Sequence, residues 1–462
     1  MMTKYQNPHK KGNKSQEIIC RKRFAVPGGK RLYLRQHPYS GNMPGMEKPP
    51  NSTPVPKPLS QGPLAGLRVF DMTRILAGPS ATQIMGDLGA DILKIEKPGA
   101  GDDTRKWGPP FVKDKDGTDT TESAYYLSAN RNKKSVTLDF TTPDGLVLAK
   151  KLLSTCDILF ENFKTGTLEK YGLGYDQIKN EFPRLIYCSL TGFGQTGPRR
   201  DQAGYDFLIQ GMGGIMSLTG PVDGAPHKIG VAKADLITGL YALSGILAAV
   251  YSREKTGKGQ LIDIALLDSQ VAALSNAGQY YLTSGTVTPR MGNAHPTIVP
   301  YEAFQAKDGW IILAIGNDKQ FRDFCAFVNR PDLSDEPRFA ENKSRVINRA
   351  ILVPIIRDII AARTQKEWMT GLEPLGVPCG PVNALDQVFN DPQVQSRGMV
   401  QEMPHPMSPD VTRLIGSPLK FSATPVSYRL PPPPLGQDTE QVLKDAGVST
   451  ADIAALKTKG VI

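Results

Sequence analysis

At 462 residues the chain is long enough for two or three domains, and its 40% hydrophobic and 22% charged residues are those of a globular protein, not a fibrous or disordered one. The formal charge of +10 is confined to one end. Residues 1–60 hold twelve Lys and Arg against Glu17 and Glu47, leaving 43 of each sign in the rest, so a basic nucleic-acid-binding face on the folded body is not expected.

In chain order, the first 40 residues are basic and lack apolar periodicity, which reads as a disordered arm or a transit peptide. Residues 41–63 are rich in Pro and Gly and read as a linker, with the Asn51-Ser-Thr sequon inside it. The folded body is expected to begin near Leu64. From there short apolar strands alternate with helices: strand 67–71 (LRVFD), helix 78–88 around Pro79, strand 91–96 (DILKIE) and, after a polar connection, strand 135–140 (SVTLDF). Thr142-Pro143 caps and starts a helix ending near Leu153, and strands 157–161 and 184–190 follow. Apolar strands separated by helices predict a mostly parallel sheet covered on both faces.

Gly192-Phe-Gly194-Gln-Thr-Gly197 matches G-x-G-x-x-G after a strand, but no helix start follows to hold a pyrophosphate. A dinucleotide site is therefore not expected there. The stretch 236–251 is apolar or small throughout, which predicts a helix buried on all sides; it is too short and Gly-broken for a membrane span. Asp235 stands at its mouth. As an N-cap it would accept the first free backbone N–H groups; as a nucleophile it would be an ionised carboxylate at the positive helix end, aimed into a cleft. Local pattern leaves both readings open.

A strand at 260–266 and a helix from Asp268 come next, then a turn-rich loop at 287–300. Residues 302–374 form a second α+β segment, and the tail ends in two capped helices after a Pro run, one capped by Ser449. Five scattered cysteines without C-x-x-C spacing fit a reducing compartment and no disulfide framework. His9, His37, His227, His295 and His405 show no metal spacing, and there is no G-x-S-x-G elbow. His295 reads as a loop histidine. What remains is carboxylate chemistry assisted by backbone N–H groups in glycine-rich loops.

Several separate stretches, in order, carry a resemblance: LAGLRVFDMTRILAGPSATQIMGDLGADILKIEKPGAGDDTR, NRNKKSVTLDF, ENFKTGTLEKYGL, AGYDFLIQGMGG, REKTGKGQLIDIALLDS, GVPCGPVN and PPPLGQDTEQVL. From about Pro63 to Ile462 the chain resembles the family III CoA-transferases. Its ILAGPSATQ and GNAHPTIVPYEAF wording is most like the members that use succinyl-CoA with glutarate or hydroxymethylglutarate. The resemblance implies an α/β fold: a Rossmann-like large domain (64–285), a linker and small α+β domain (286–385), and a C-terminal segment returning to the large domain (386–462), behind the arm at 1–63. It also implies an interlocked homodimer. Asp235 matches the family's nucleophile, which forms an aspartyl-CoA thioester in a closed, dry site. CoA binding carries over to Ala77, Lys97, Leu138, Asn162, Phe163, Lys170 and Tyr205. CoA thioesters are then substrates, with no permanently bound cofactor and no metal, and neither a nucleic acid nor a membrane is expected as a partner.

Departures from the formyl-CoA:oxalate members are Leu76 in place of glutamine, Ala203 in place of lysine, and MGNAHPTIVP in place of a run of glycines. They argue against oxalate or formate. A dicarboxylate would need a cation for its far end, and Arg74, Arg199 and Arg200 stand in suitable loops. A mitochondrial location follows from the arm and the resemblance, with the cytoplasm as alternative. Two other readings stand beside this one. An α-methylacyl-CoA racemase needs a base on each face of the α-carbon, but its histidine is here Tyr205, and a phenol is a poor base near neutral pH. A binding or scaffold protein recruited through the arm would leave the folded body without a charged surface of its own.

Overall fold

The computed structural model describes residues 62–462; the arm and nearly all of the linker lie outside the described residues. The centre is a six-stranded, all-parallel sheet. Its strands are β1 (Arg68–Asp71), β2 (Asp91–Glu96), β3 (Lys133–Thr137), β4 (Ile158–Glu161), β5 (Ile186–Thr191) and β6 (Leu261–Ala265), in the order β3-β2-β1-β4-β5-β6. The order reverses between β1 and β4, and a sheet of this kind opens a crevice at the carboxyl ends of the strands where its order reverses.

Each face has its own core. On one, Phe70, Leu93, Val136 and Leu159 meet Leu148 and Leu152 of α2 (Pro143–Leu153; α1 is Ala77–Asp87). Thr142 caps α2 by accepting the Gly145 N–H at 3.1 Å, and Pro143 opens it. The chain's last residues close this face: Val442, Leu443, Ile453 and Val461 pack into the same core, each fully buried Leu contributing about 2 kcal/mol. The other face carries α1 and the long helix α4 (Lys233–Thr256), which is preceded by α3 (Asp206–Met212) and followed by β6, α5 (Leu266–Ala272) and α6 (Ser275–Ser284). A separate core, built on Phe304, Leu313, Phe321, Ile356 and Trp368, backs a three-stranded sheet of β7 (Tyr301–Gln305), β8 (Trp310–Ala314) and β9 (Cys379–Pro381).

Four expectations are corrected. First, α4 is not buried all round: Ala234, Thr238, Gly239, Ala242, Ile246 and Ala249 form an inward stripe, while Leu240, Tyr241 and Tyr251 are exposed. Second, α4 does meet the length and composition of a membrane span, at 24 residues, while its inward stripe is buried against the sheet. Uninterrupted apolarity is a stricter test than average hydropathy, and the small residues of the stripe pass only the second.

Third, β3 starts at Lys133, not Ser135, because Lys133 is buried against Asp71 at 3.3 Å instead of facing water. Fourth, only one of the two tail helices carries its own side-chain cap. Ser449 accepts the Asp452 N–H at 3.1 Å, but Asp438 turns away from Thr439–Asp445 and accepts the Ser135 N–H at 2.9 Å.

Candidate active site

The crevice at the β1/β4 reversal is a cleft of about 440 Å³. Its walls come from the loop after β1 (Arg74–Ala77), the loop after β4 (Asn162–Thr165), the end of β5, the segment entering α3 (Ala203–Asp206) and the first turn of α4 (Asp235). Two close approaches set its shape. A Cβ on Gly239, one turn beyond Asp235, would lie 2.5 Å from the Ala77 carbonyl, so glycine there lets α4 rest on the start of α1. Gly192 and Gly204 pack backbone to backbone, a Cβ on Gly192 falling 2.5 Å from the Gly204 Cα. The glycine-rich 192–197 run therefore serves loop-to-loop packing, as its lack of a following helix foreshadows.

The loop after β1 is strained and held from below. Ile75 has φ +73°, a conformation that costs a β-branched residue about 1–3 kcal/mol. The buried Asp102 carboxylate accepts the Ile75 N–H at 3.2 Å, and buried Lys94 donates both to Asp102 (2.8 Å) and to the Thr73 carbonyl (3.1 Å). Lys94 holds the Asp102 carboxyl down at about 2 against the effect of burial, so the pair stays charged. Above it, Asn162 and Arg74 exchange two bonds of 2.8 Å between side-chain amide and backbone, which ties the β1 and β4 loops together.

Asp235 is not the cap of α4. The N-cap position is Ala232, which has no side chain to offer. Instead Asp206 accepts the Ala234 N–H at 2.8 Å and the Asp235 N–H at 3.3 Å. Asp235 accepts no side-chain hydrogen bond and no salt bridge among the described residues. Burial first, and the like charge of Asp206 second, push its carboxyl up to about 7. That corrects the expectation of an ordinary carboxylate fully ionised at neutral pH: among the described residues no cation pairs with it, and a neighbouring anion opposes its charge.

Residues 64–439 match the family model for CoA-transferase family III. The chain belongs to that family. This CoA-transferase is 46% identical over 390 residues to the succinate–glutarate CoA-transferase of Agrobacterium fabrum, covering 84% of this chain and 96% of the relative. It is 45% identical over 386 residues to the succinyl-CoA:glutarate CoA-transferase of Mus musculus, covering 84% and 87%. Among solved structures, a CAIB/BAIF family protein from Brucella suis superposes with a TM-score of 0.75 at 43% identity, covering 84% of this chain and 100% of that one.

In the CoA-transferase, the cleft brings together Ala77, Asn162, Phe163 and Tyr205 with Asp235, Arg74 and Arg200. Arg199 stays outside it, exposed and donating to Gln202 at 3.2 Å. Lys97, Leu138 and Lys170 also lie outside the cleft, past the carboxyl ends of β2, β3 and β4. Lys97 and Lys170 are exposed, and Lys170 sits 5.2 Å over the Tyr171 ring. Leu138 is 1% exposed; its side chain belongs to the core behind Phe140 and Phe163, whose rings meet edge-on at 5.7 Å. His295 is a loop histidine accepting the Thr297 N–H at 3.2 Å.

Sequence reasoning missed Trp107 and Asp206, both in the cleft wall of the CoA-transferase. Trp107 sits in a Gly/Pro-rich connection that carries no periodic signal. For Asp206 one signal existed: Gly-Val-Ala-Lys ahead of α4 contains no capping side chain, so a cap had to come from elsewhere.

Proposed function

We propose that the enzyme transfers CoA from succinyl-CoA to a dicarboxylate such as glutarate through Asp235. The observation that supports this most is an uncapped, unpaired carboxylate at the mouth of α4, inside the cleft where the sheet order reverses. A carboxylate oxygen of Asp235 attacks the thioester carbonyl carbon, the C–S bond breaks, and CoA leaves as thiolate, giving a mixed anhydride. The thiolate attacks the aspartyl carbonyl, succinate departs, and an aspartyl-CoA thioester remains. The acceptor carboxylate then displaces thiolate to form a second anhydride, and thiolate attacks the acceptor's carbonyl, releasing the new acyl-CoA and the free carboxylate. Raised basicity favours Asp235 as a nucleophile while leaving a substantial ionised fraction near pH 7.

Ala77, Asn162, Phe163 and Tyr205 line the path for CoA in this reading, with Lys97 and Lys170 reaching its phosphates as point charges from the outer rim. Leu138 contributes by supporting the Phe140–Phe163 wall. The racemase reading loses ground because no histidine lines the cleft among the described residues. The large domain is Rossmann-like in this reading, and the active form is an interlocked homodimer. Phe207, Leu208, Leu240, Tyr241 and Leu282 on α3, α4 and α6 are exposed, more apolar surface than a monomer usually leaves to water. Sedimentation is expected to give the mass of two chains; a monomer at working concentration would refute the dimer.

The acceptor is set by the cleft's cations and by what replaces polar groups. Leu76 and Ala203 line the cleft, and Arg74 and Arg200 are its arginines. Arg74 bonds Asp103 at 3.2 Å and stands 5.2 Å over the Phe163 ring, while Arg200 approaches Asp201 at 3.5 Å; both are on the exposed side and can exchange partner. With succinyl-CoA and a panel of carboxylates followed by mass spectrometry, five- to six-carbon dicarboxylates should outperform formate and oxalate. Either R74M or R200M should raise KM for glutarate about tenfold or more, since a charged hydrogen-bonded contact contributes roughly 1.5–3 kcal/mol. Oxalate as best acceptor, or an unchanged KM in both variants, would refute this assignment.

A further inference from the structure

Three aspartates line the cleft, Asp103, Asp206 and Asp235, and only one is needed to carry CoA. Asp103 pairs with Arg74 at 3.2 Å. Asp206 is bonded on every side. Its Oδ1 accepts the Ala234 and Asp235 N–H groups at 2.8 and 3.3 Å, and its Oδ2 accepts Gln210 Nε2 at 2.7 Å. Gln210 is fully buried and braces the loop entering α4 by accepting the Ile229 N–H at 2.9 Å. Asp206 also opens α3, directly after Tyr205, so the wall of the cleft and the start of α4 are fastened at one carboxylate.

We infer that Asp206 is a positioning residue for the transfer reaction: it caps α4 in place of Asp235 and leaves the Asp235 carboxylate free to face the thioester. The inference rests on the reading of Asp235 as nucleophile. Around Asp235 the ionisable groups are Asp206 on α3 and Tyr125 on the short helix Ala124–Leu127, and the cleft is also lined by Arg74, Asp103, Lys164, Arg200 and Tyr205. Of these, Asp206 is the one charge that acts on Asp235 alongside burial. An acceptor oxygen without charge at 206 would preserve the cap and remove the repulsion. The ionised form of Asp235 would then be favoured, so its carboxyl would titrate at lower pH and attack less readily.

The test compares D206N with wild type, using succinyl-CoA and glutarate across pH 5–9. Wild-type kcat/KM should fall on the acid side around pH 7, where Asp235 takes up its proton. In D206N that limb should move down by about one pH unit, kcat should fall about tenfold, and KM for succinyl-CoA should stay within twofold. D206S, which retains a capping oxygen on a shorter uncharged side chain, should shift the limb in the same direction and stands in if the Asn variant does not fold. An unmoved limb overturns the inference, even with a lower kcat, because a structural role alone would produce that pattern. Running D235N in parallel separates the two claims. Full transfer by D235N would sink the nucleophile reading itself, whereas an inactive D235N beside a D206N of wild-type profile would sink only the role of Asp206.

Discussion

D235N is expected to fold and to lose CoA transfer by about 10³-fold or more, because an amide can form neither the anhydride nor the aspartyl-CoA thioester. No loss of capping is expected, since the cap of α4 is supplied by Asp206. Wild type mixed with succinyl-CoA alone, then treated with hydroxylamine, should be modified on the peptide containing Asp235; the Asn variant should not. Transfer at the wild-type rate together with an unmodified peptide would refute the assignment. The same variant makes a stability prediction whose sign follows from the raised carboxyl. In the folded enzyme Asp235 holds its proton to about pH 7, while in the unfolded chain it loses it near pH 4. The fold therefore binds more protons across that window, and its stability declines as pH rises from about 4 to 7. D235N cannot ionise, so its melting temperature should match wild type at about pH 4 and exceed it at pH 8. A lower melting temperature at pH 8 would contradict the account.

R105L is expected to be strongly destabilising. Arg105 is 3% exposed and bonds Glu96 and Glu122, each at 2.7 Å, along with the Tyr126 hydroxyl and the Pro433 carbonyl. Removing it strands two buried carboxylates, and breaking a buried pair costs about 3–5 kcal/mol. The penalty should shrink on acidification, as the stranded carboxylates take up protons, and should be partly recovered in R105L combined with E122Q. Since Asp102 accepts the bonds that hold Ile75 and itself donates its N–H to Glu96 at 2.9 Å, surviving R105L enzyme should also show a higher KM for acyl-CoA. A melting temperature within a degree or two of wild type would mean that the network is not structural.

Strand-by-strand, the sheet was legible because burial on both faces leaves apolar runs such as Ile158-Leu159-Phe160, and the caps of α2 and of the last helix were legible because Thr142 and Ser449 act on their own helices. Where the reading slipped, the partner was distant in sequence. The strand at 135–140 begins two residues early because Lys133 is buried beside Asp71, and the first tail helix has no side-chain cap because the Asp438 carboxylate accepts the Ser135 N–H. For the site, Asp235 was legible as a candidate from its place before an apolar stretch, and the resemblance chose between its two readings. Its displacement from capping was not legible, because nothing local links residue 206 to residue 234. Arg199 and Arg200 are adjacent in sequence, yet only Arg200 lines the cleft, while Arg199 donates to Gln202 outside it.

The closure of the sheet by the chain's last residues has a consequence for how the enzyme comes into being. Asp139 donates its N–H to the Val461 carbonyl, Asn132 donates its own to Leu430, and Arg105 reaches Pro433. The loop that carries Ile75 rests on this same network. A nascent chain emerging from the ribosome can assemble β1 to β6 early, as N-terminal segments generally do. One face of its sheet is then covered by α2 but still lacks Val442, Leu443, Ile453 and Val461, which complete that core. A chain lacking residues 433–462 would carry every residue of the cleft and still lack the clasp that holds them in place.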